Sequence, residues 1–145
     1  MKYNKDMDDL GLQNNLGWLF MASSLRVKKG FMRLATEFDL PLIQVMALCF
    51  LEPGSPMSMK HMASLLNCEP SNVSAVIDRL FTLKYVSREE NPSDRRIKMI
   101  SLTKEGQKER QRIVKRIVNY HSERLDRLSD EEKKQFQAAL AKIFA

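Results

Sequence analysis

The run Asn91-Pro92-Ser93-Asp94-Arg95-Arg96 places two guanidinium groups and one carboxylate in a segment of turn formers. It lies between two stretches of β-branched and apolar residues, Tyr85 to Arg88 and Ile97 to Leu102, which read as short strands. Arginines at a hairpin tip suit a polyanion, because they contact phosphates or enter a narrow minor groove. A merely solvated turn is the alternative, and what precedes the hairpin decides between the two. There Ser71, Asn72, Ser74, Ala75 and Arg79 share one helical face, opposite Val73, Val76, Ile77 and Leu80. Short polar side chains at the start of such a helix can approach base edges closely. Arg79 reaches either a phosphate or a carboxylate such as Asp94. Asp94 would be repelled by a phosphate, so its expected role is to orient a wing arginine. Lys60 and His61 open the preceding helix, where phosphate contact and plain solvation are equal alternatives.

Other chemistry finds less support. A sensing thiol needs a depressed pKa and access. Cys49 falls on the apolar face of a helix and reads as inert core, whereas Cys68 stands in the turn before a helix N-terminus, whose dipole favours thiolate. His61 and His121 are distant in sequence, and no Cys-x-x-Cys or His-x-x-x-His pair offers a metal site, so no cofactor is expected. There is no Gly-rich phosphate loop, nucleophile elbow or supported carboxylate pair, and an enzyme is not expected. The nine methionines, several beside Phe20, Phe31 and Phe50, either fill a core or line an adaptable small-molecule cavity.

Positioning these residues is the task of a mostly helical chain. At 145 residues and 43% hydrophobic content, one domain with one substantial core is the default. The net charge of +6 permits a polyanionic partner without establishing one. The N-terminus mixes Lys2, Lys5, Asp6, Asp8 and Asp9, and no apolar run is long enough to span a bilayer, so a cytoplasmic protein with no membrane partner is expected. Two cysteines are too few for a disulfide framework.

From about Leu12 to Phe38 apolar residues recur at helical steps on a broadened face that includes Leu16, Phe20, Val27, Phe31 and Leu34. Pro41 suits the first turn of a second helix with Leu42, Val45, Met46, Cys49 and Phe50 inward, ended by Glu52-Pro53-Gly54-Ser55-Pro56. Ser58 caps a third, with Met59, Met62, Ala63 and Leu66 on one face. Asn67 through Asn72 form a tight turn in which Asn tolerates the left-handed exit and Pro70 starts the next helix. After the hairpin, Val114, Val118, His121, Leu125 and Leu128 resume the helical period, and Ser129 with Glu132 forms a capping box for a last helix carrying Phe136, Ala139, Leu140 and Ile143. The expected fold is mostly α with a small β-hairpin: a helix-turn-helix with a basic wing, framed by terminal helices.

With these residues in place the chain resembles the MarR family of bacterial transcriptional regulators over nearly its full length. Leu40, Gln44 and Leu48 look like the family's second-helix pattern, and Met57-Ser58 through Met62-Ala63 and Leu66 like the start of its helix-turn-helix. Asn72-Val73-Ser74 with Asp78-Arg79-Leu80 resembles the recognition helix, and Pro92-Ser93-Asp94-Arg95-Arg96 with Ile100-Ser101-Leu102-Thr103 and Glu105-Gly106 matches the wing and its exit. The resemblance implies an obligate homodimer bound to a pseudo-palindromic operator in double-stranded DNA, usually a repressor released by a small-molecule effector or an oxidant. It divides the chain into a DNA-reading part at about residues 40–102 and helical dimerisation parts at about 10–38 and 103–145. Two positions depart from the family. Lys84 stands where many relatives have Gly, so a left-handed residue there would be strained or the turn would differ; Ala75 replaces a long polar or basic residue. The competing classes are a helical protein-interaction module that no longer reads DNA and a thiol-based redox sensor.

Overall fold

A capping asparagine decides where the first long helix begins. The computed structural model describes residues 11–144, without the side chains of Gln13, His121, Glu123, Arg124 and Phe144, so the charged stretch through Asp9 lies outside the described residues. Gly11 is left-handed and leads into one 3-10 turn, Leu12–Asn14. Asn15 is then extended, and its side chain accepts a hydrogen bond from the Trp18 N–H at 2.9 Å. Helix α1 therefore spans Leu16–Thr36 and not the full stretch expected from Leu12. It ends before Asp39, whose φ of 53° is left-handed.

The chain divides into two compact units, Met1–Ile43 and Gln44–Ala145. In the first, Leu34, Ala35, Phe38 and Leu40 are buried, while Leu16, Leu25 and Met32 are exposed. Helix α2, Leu42–Phe50, begins in the first unit and runs on into the second; Pro41 lies just before its first turn. Its most buried residues are Gln44, Val45, Ala47 and Leu48, with Leu42, Met46, Cys49 and Phe50 only half-buried, so the inward face is rotated from the apolar stripe read in the sequence.

In the second unit β1 (Met57–Ser58) leads directly into α3 (Met59–Leu66), and α4 (Pro70–Thr82) follows after a short turn. Strands β2 (Val86–Glu90) and β3 (Lys98–Leu102) form the hairpin. The sheet is antiparallel in the order β1-β3-β2, with Met57 opposite Ile100 and Val86 opposite Leu102. Strand β1 was not expected: two residues are too few to show the alternation by which a strand is read. Helix α5 (Lys104–Leu125) and α6 (Asp130–Phe144) complete the chain. Ser129 and Glu132 cap each other's backbone N–H groups, at 3.3 and 2.7 Å, a reciprocal box that fixes the start of α6. The core of this unit is built from Leu48, Leu51, Met62, Val73, Ile77, Leu80, Val86, Ile100 and Ile113, none more than 2% exposed. Among the described residues no helix is long and apolar enough to cross a membrane.

Candidate nucleic-acid interface

Helix α3 starts where Ser58 accepts a hydrogen bond from the His61 N–H, and it stops at Asn67, whose φ of 48° is left-handed. The Cys68 N–H then reaches the Ala63 carbonyl at 3.1 Å and the Asn67 N–H the Ser64 carbonyl at 3.2 Å. These two bonds satisfy the last carbonyls of α3 in a Schellman turn and swing the chain into α4 within a few residues. Pro70 opens α4, where a missing N–H costs nothing. Burial of Val73, Val76, Ile77 and Leu80 fixes the helix's rotation, so Ser71, Asn72, Ser74, Ala75 and Arg79 all face solvent. The Ser74 hydroxyl donates back to the Pro70 carbonyl at 3.3 Å, leaving its oxygen free to accept. Arg79 has no carboxylate partner among the described residues.

The wing is ordered by two acceptors of different kinds, an amide and a carboxylate. Asn91 accepts from the N–H groups of Ser93 (2.8 Å) and Asp94 (3.3 Å), closing the turn from inside. Asp94 receives the Arg96 backbone N–H at 3.0 Å and two bonds from the Arg96 guanidinium, Nε and Nη2, each at 3.1 Å. The Arg96 guanidinium and backbone N–H hold the Asp94 carboxyl below its ordinary range. Arg96 is thus held at both its backbone and its guanidinium while its side chain stays 91% exposed. Arg95, beside it, is exposed and has no ion-pair partner among the described residues. Below the tip, Lys98 pairs with Glu90 at 2.8 Å, directly opposite it across the hairpin.

A further pair, which the sequence did not suggest, ties helix to wing. Arg88 of β2 binds the Asp78 carboxylate of α4 and lies over the Phe81 ring, 5.4 Å from its centroid. The two partners stand ten residues apart on different elements, so no local spacing rule could find them. Asp78 stays exposed but its charge is paired, which leaves Arg79 as the α4 charge with no ion-pair partner among the described residues. Lys60 is exposed in the first turn of α3, also without a carboxylate partner among the described residues. Folding therefore brings Lys60, Ser71, Asn72, Ser74, Arg79, Arg95 and Arg96 onto one unit as solvent-facing groups, with Asp94 as the tether for the last.

The hairpin's base is locked from behind. The Tyr85 N–H reaches the Leu80 carbonyl and the Lys84 N–H that of Phe81, both at 2.9 Å, a second Schellman turn in which Lys84 carries the left-handed φ of 61°. Thr103 donates to the Lys84 carbonyl at 2.6 Å and accepts from Gly106, so one hydroxyl both closes the hairpin and caps α5. At Gly106 a Cβ would fall 1.8 Å from the Tyr85 carbonyl oxygen, so only glycine allows this approach. Cys68 is half-buried in the turn between α3 and α4. Cys49 is half-buried too; burial pushes its thiol up, against the opposing pull of Arg110, the direction opposite to the one a sensing thiol needs.

Residues 41–106 match the winged helix DNA-binding domain family. The chain is 35% identical over 81 residues to the HTH-type transcriptional regulator YwoH of Bacillus subtilis, covering 56% of this chain and 58% of that protein. The match to a second Bacillus subtilis regulator, YhbI, spans 52% of its length, so the chain covers little more than half of these curated relatives. Among solved structures, a MarR-family transcriptional regulator from Silicibacter pomeroyi superposes with a TM-score of 0.81 at 20% identity, over 95% of this chain and 93% of that one. The transcriptional repressor CouR bound to a 23-mer DNA duplex gives 0.79 at 25% identity, over 92% and 95%.

Proposed function

We propose that this chain, a winged-helix protein with the fold of the MarR-family regulators, is a sequence-specific transcriptional regulator that binds duplex DNA as a homodimer. It acts as a repressor released by a small ligand or another signal. The observation that carries this function is the wing: Arg95 and Arg96 stand exposed at its tip, and Asp94 fixes one of them in advance. Pre-ordering a long side chain removes entropy that binding would otherwise lose, which is what a phosphate or minor-groove contact needs. The uncharged start of α4, Ser71, Asn72 and Ser74, suits hydrogen bonds to base edges, and Lys60 and Arg79 suit phosphates. CouR, with a closely similar fold, is solved on duplex DNA. Residues 40–102 form the DNA-reading part, with 10–38 and 103–145 for dimerisation, and the work is done in the cytoplasm.

Selection of bound fragments from a random duplex pool tests this. A dimer with two recognition helices should enrich an inverted repeat whose half-sites lie about one helical turn apart. Enrichment of no motif, or of a single half-site, contradicts it.

A further inference from the structure

The exposed groups that the proposed function assigns to DNA lie on α4 and on the hairpin wing, and the turn from Leu83 to Tyr85 joins the two elements. Strand β1 braces the β3 edge of the hairpin, opposite Met99 and Ile100. The β2 edge has no neighbouring strand in this sheet, and its brace is a side chain. Arg88 stands midway along β2, opposite Ile100 and on the same face as Val86, since residues two apart share a face. Val86 and Ile100 are both buried, so the alternation calls for an apolar residue at this position. An arginine stands there instead. Its guanidinium binds the Asp78 carboxylate and covers the Phe81 ring, two side chains that are neighbours three residues apart on α4. Among the described residues, this is the ion pair that crosses from α4 to the hairpin. Half-exposed pairs add little to stability, and the Arg88 and Asp78 side chains keep 33% and 63% of their surface in water. What a planar, stacked and paired guanidinium adds over an apolar contact is direction.

We propose that Asp78, Arg88 and Phe81 form a strut that sets the wing at a fixed angle to α4, so that Asn72 and Arg79 on one element and Arg95 and Arg96 on the other meet a duplex as one preformed surface. Asp78 and Arg88 are then positioning residues. Once one element is seated, a fixed angle holds the other at its contact and spares the entropy of ordering it. The gain is full on an operator, where α4 has one productive register. It is small on unrelated DNA, where either element finds a phosphate at many settings. The strut therefore acts on specificity more than on general affinity. The competing role for Arg88 is a direct phosphate contact, which requires it to leave Asp78. The effect on specificity rests on the function proposed above; the fixed angle does not.

Anisotropy titrations of the full chain and of its Asp78→Asn, Arg88→Gln and double variants, on the selected operator and on an unrelated duplex, test the strut. Asp78→Asn removes a negative charge, which by charge alone tightens DNA binding. The strut predicts the opposite sign on the operator, a loss of about fivefold or more, with unrelated DNA bound no more weakly than by wild type. For Arg88→Gln the operator loss should exceed the loss on unrelated DNA, and the double variant should lose no more than Arg88→Gln does. Tighter operator binding by Asp78→Asn, losses that add in the double variant, or an equal loss on both duplexes for Arg88→Gln overturns the proposal. Residual dipolar couplings of the DNA-free chain read the angle itself: hairpin amides should show reduced couplings in Asp78→Asn while α4 amides keep theirs. Couplings identical to wild type overturn the strut. A wild type that shows a fixed angle, lost in Asp78→Asn, but binds no duplex upholds the strut and defeats the function proposed above.

Discussion

The side chains that face solvent on α4 and the wing divide by the physics they can use. Asn72 offers a donor and an acceptor at a helix start, where two bonds to one adenine edge are within its repertoire. Asn72→Ala should cost about 1–3 kcal/mol on the selected operator and leave unrelated DNA unchanged, as read by competition titration. An equal loss on both DNAs would place Asn72 on the backbone instead. Asp94 contributes through Arg96, and its lowered pKa gives the sign of the pH response. A carboxylate whose folded pKa is depressed stabilises the fold above its unfolded value, about 3.9, and loses that contribution as pH falls through the lower folded value. The Arg96 Nε–H resonance should therefore keep its bonded position at pH 5 and move only in stronger acid. Movement already complete at pH 5 would show that the tether does not form.

At the scale of elements, most of the fold was legible because its boundaries are written in local chemistry. Ser58 and the Ser129–Glu132 box each announce a helix start, and the buried stripe of α4 is the one its spacing describes. What escaped was non-local or too short. Strand β1 has two residues, and the Arg88–Asp78 pair joins elements that only folding brings together. The face of α2 misled because nearly all of its residues are apolar, so spacing alone could not say which side turns inward. Lys84 is the instructive departure. Its φ of 61° shows that the turn keeps its left-handed form without glycine, held by the Schellman bonds and by Thr103. A non-glycine residue there costs about 1–2 kcal/mol, part of which glycine returns as unfolded-chain entropy. Lys84→Gly should thus raise stability by about 0.5–1 kcal/mol in urea unfolding. A lower urea midpoint would mean that the lysine side chain stabilises the turn.

The whole molecule leaves more apolar surface open than a lone chain of this size needs. Leu16 and Leu25 on α1, Val118 and Leu125 on α5, and Phe136 and Ile143 on α6 are between 42% and 79% exposed. Exposed apolar residues on each of these helices are of the kind that mark an interface, and a symmetric second copy would cover them with no further gene product. Sedimentation at micromolar concentration should therefore show a dimer, and truncation after Ser129 should produce aggregation or unfolding. A well-behaved monomer that binds DNA would refute the dimer.

Fluorescence-anisotropy titration of wild type and the Arg95→Ala, Arg96→Ala double variant on duplex DNA, across a salt series, tests DNA reading by the wing most directly. Each phosphate contact contributes about one unit to the slope of log affinity against log salt. The double variant should bind operator and unrelated DNA more weakly and show a slope smaller by about one to two units. Unchanged affinity and slope would contradict the winged-helix account of this chain's DNA binding.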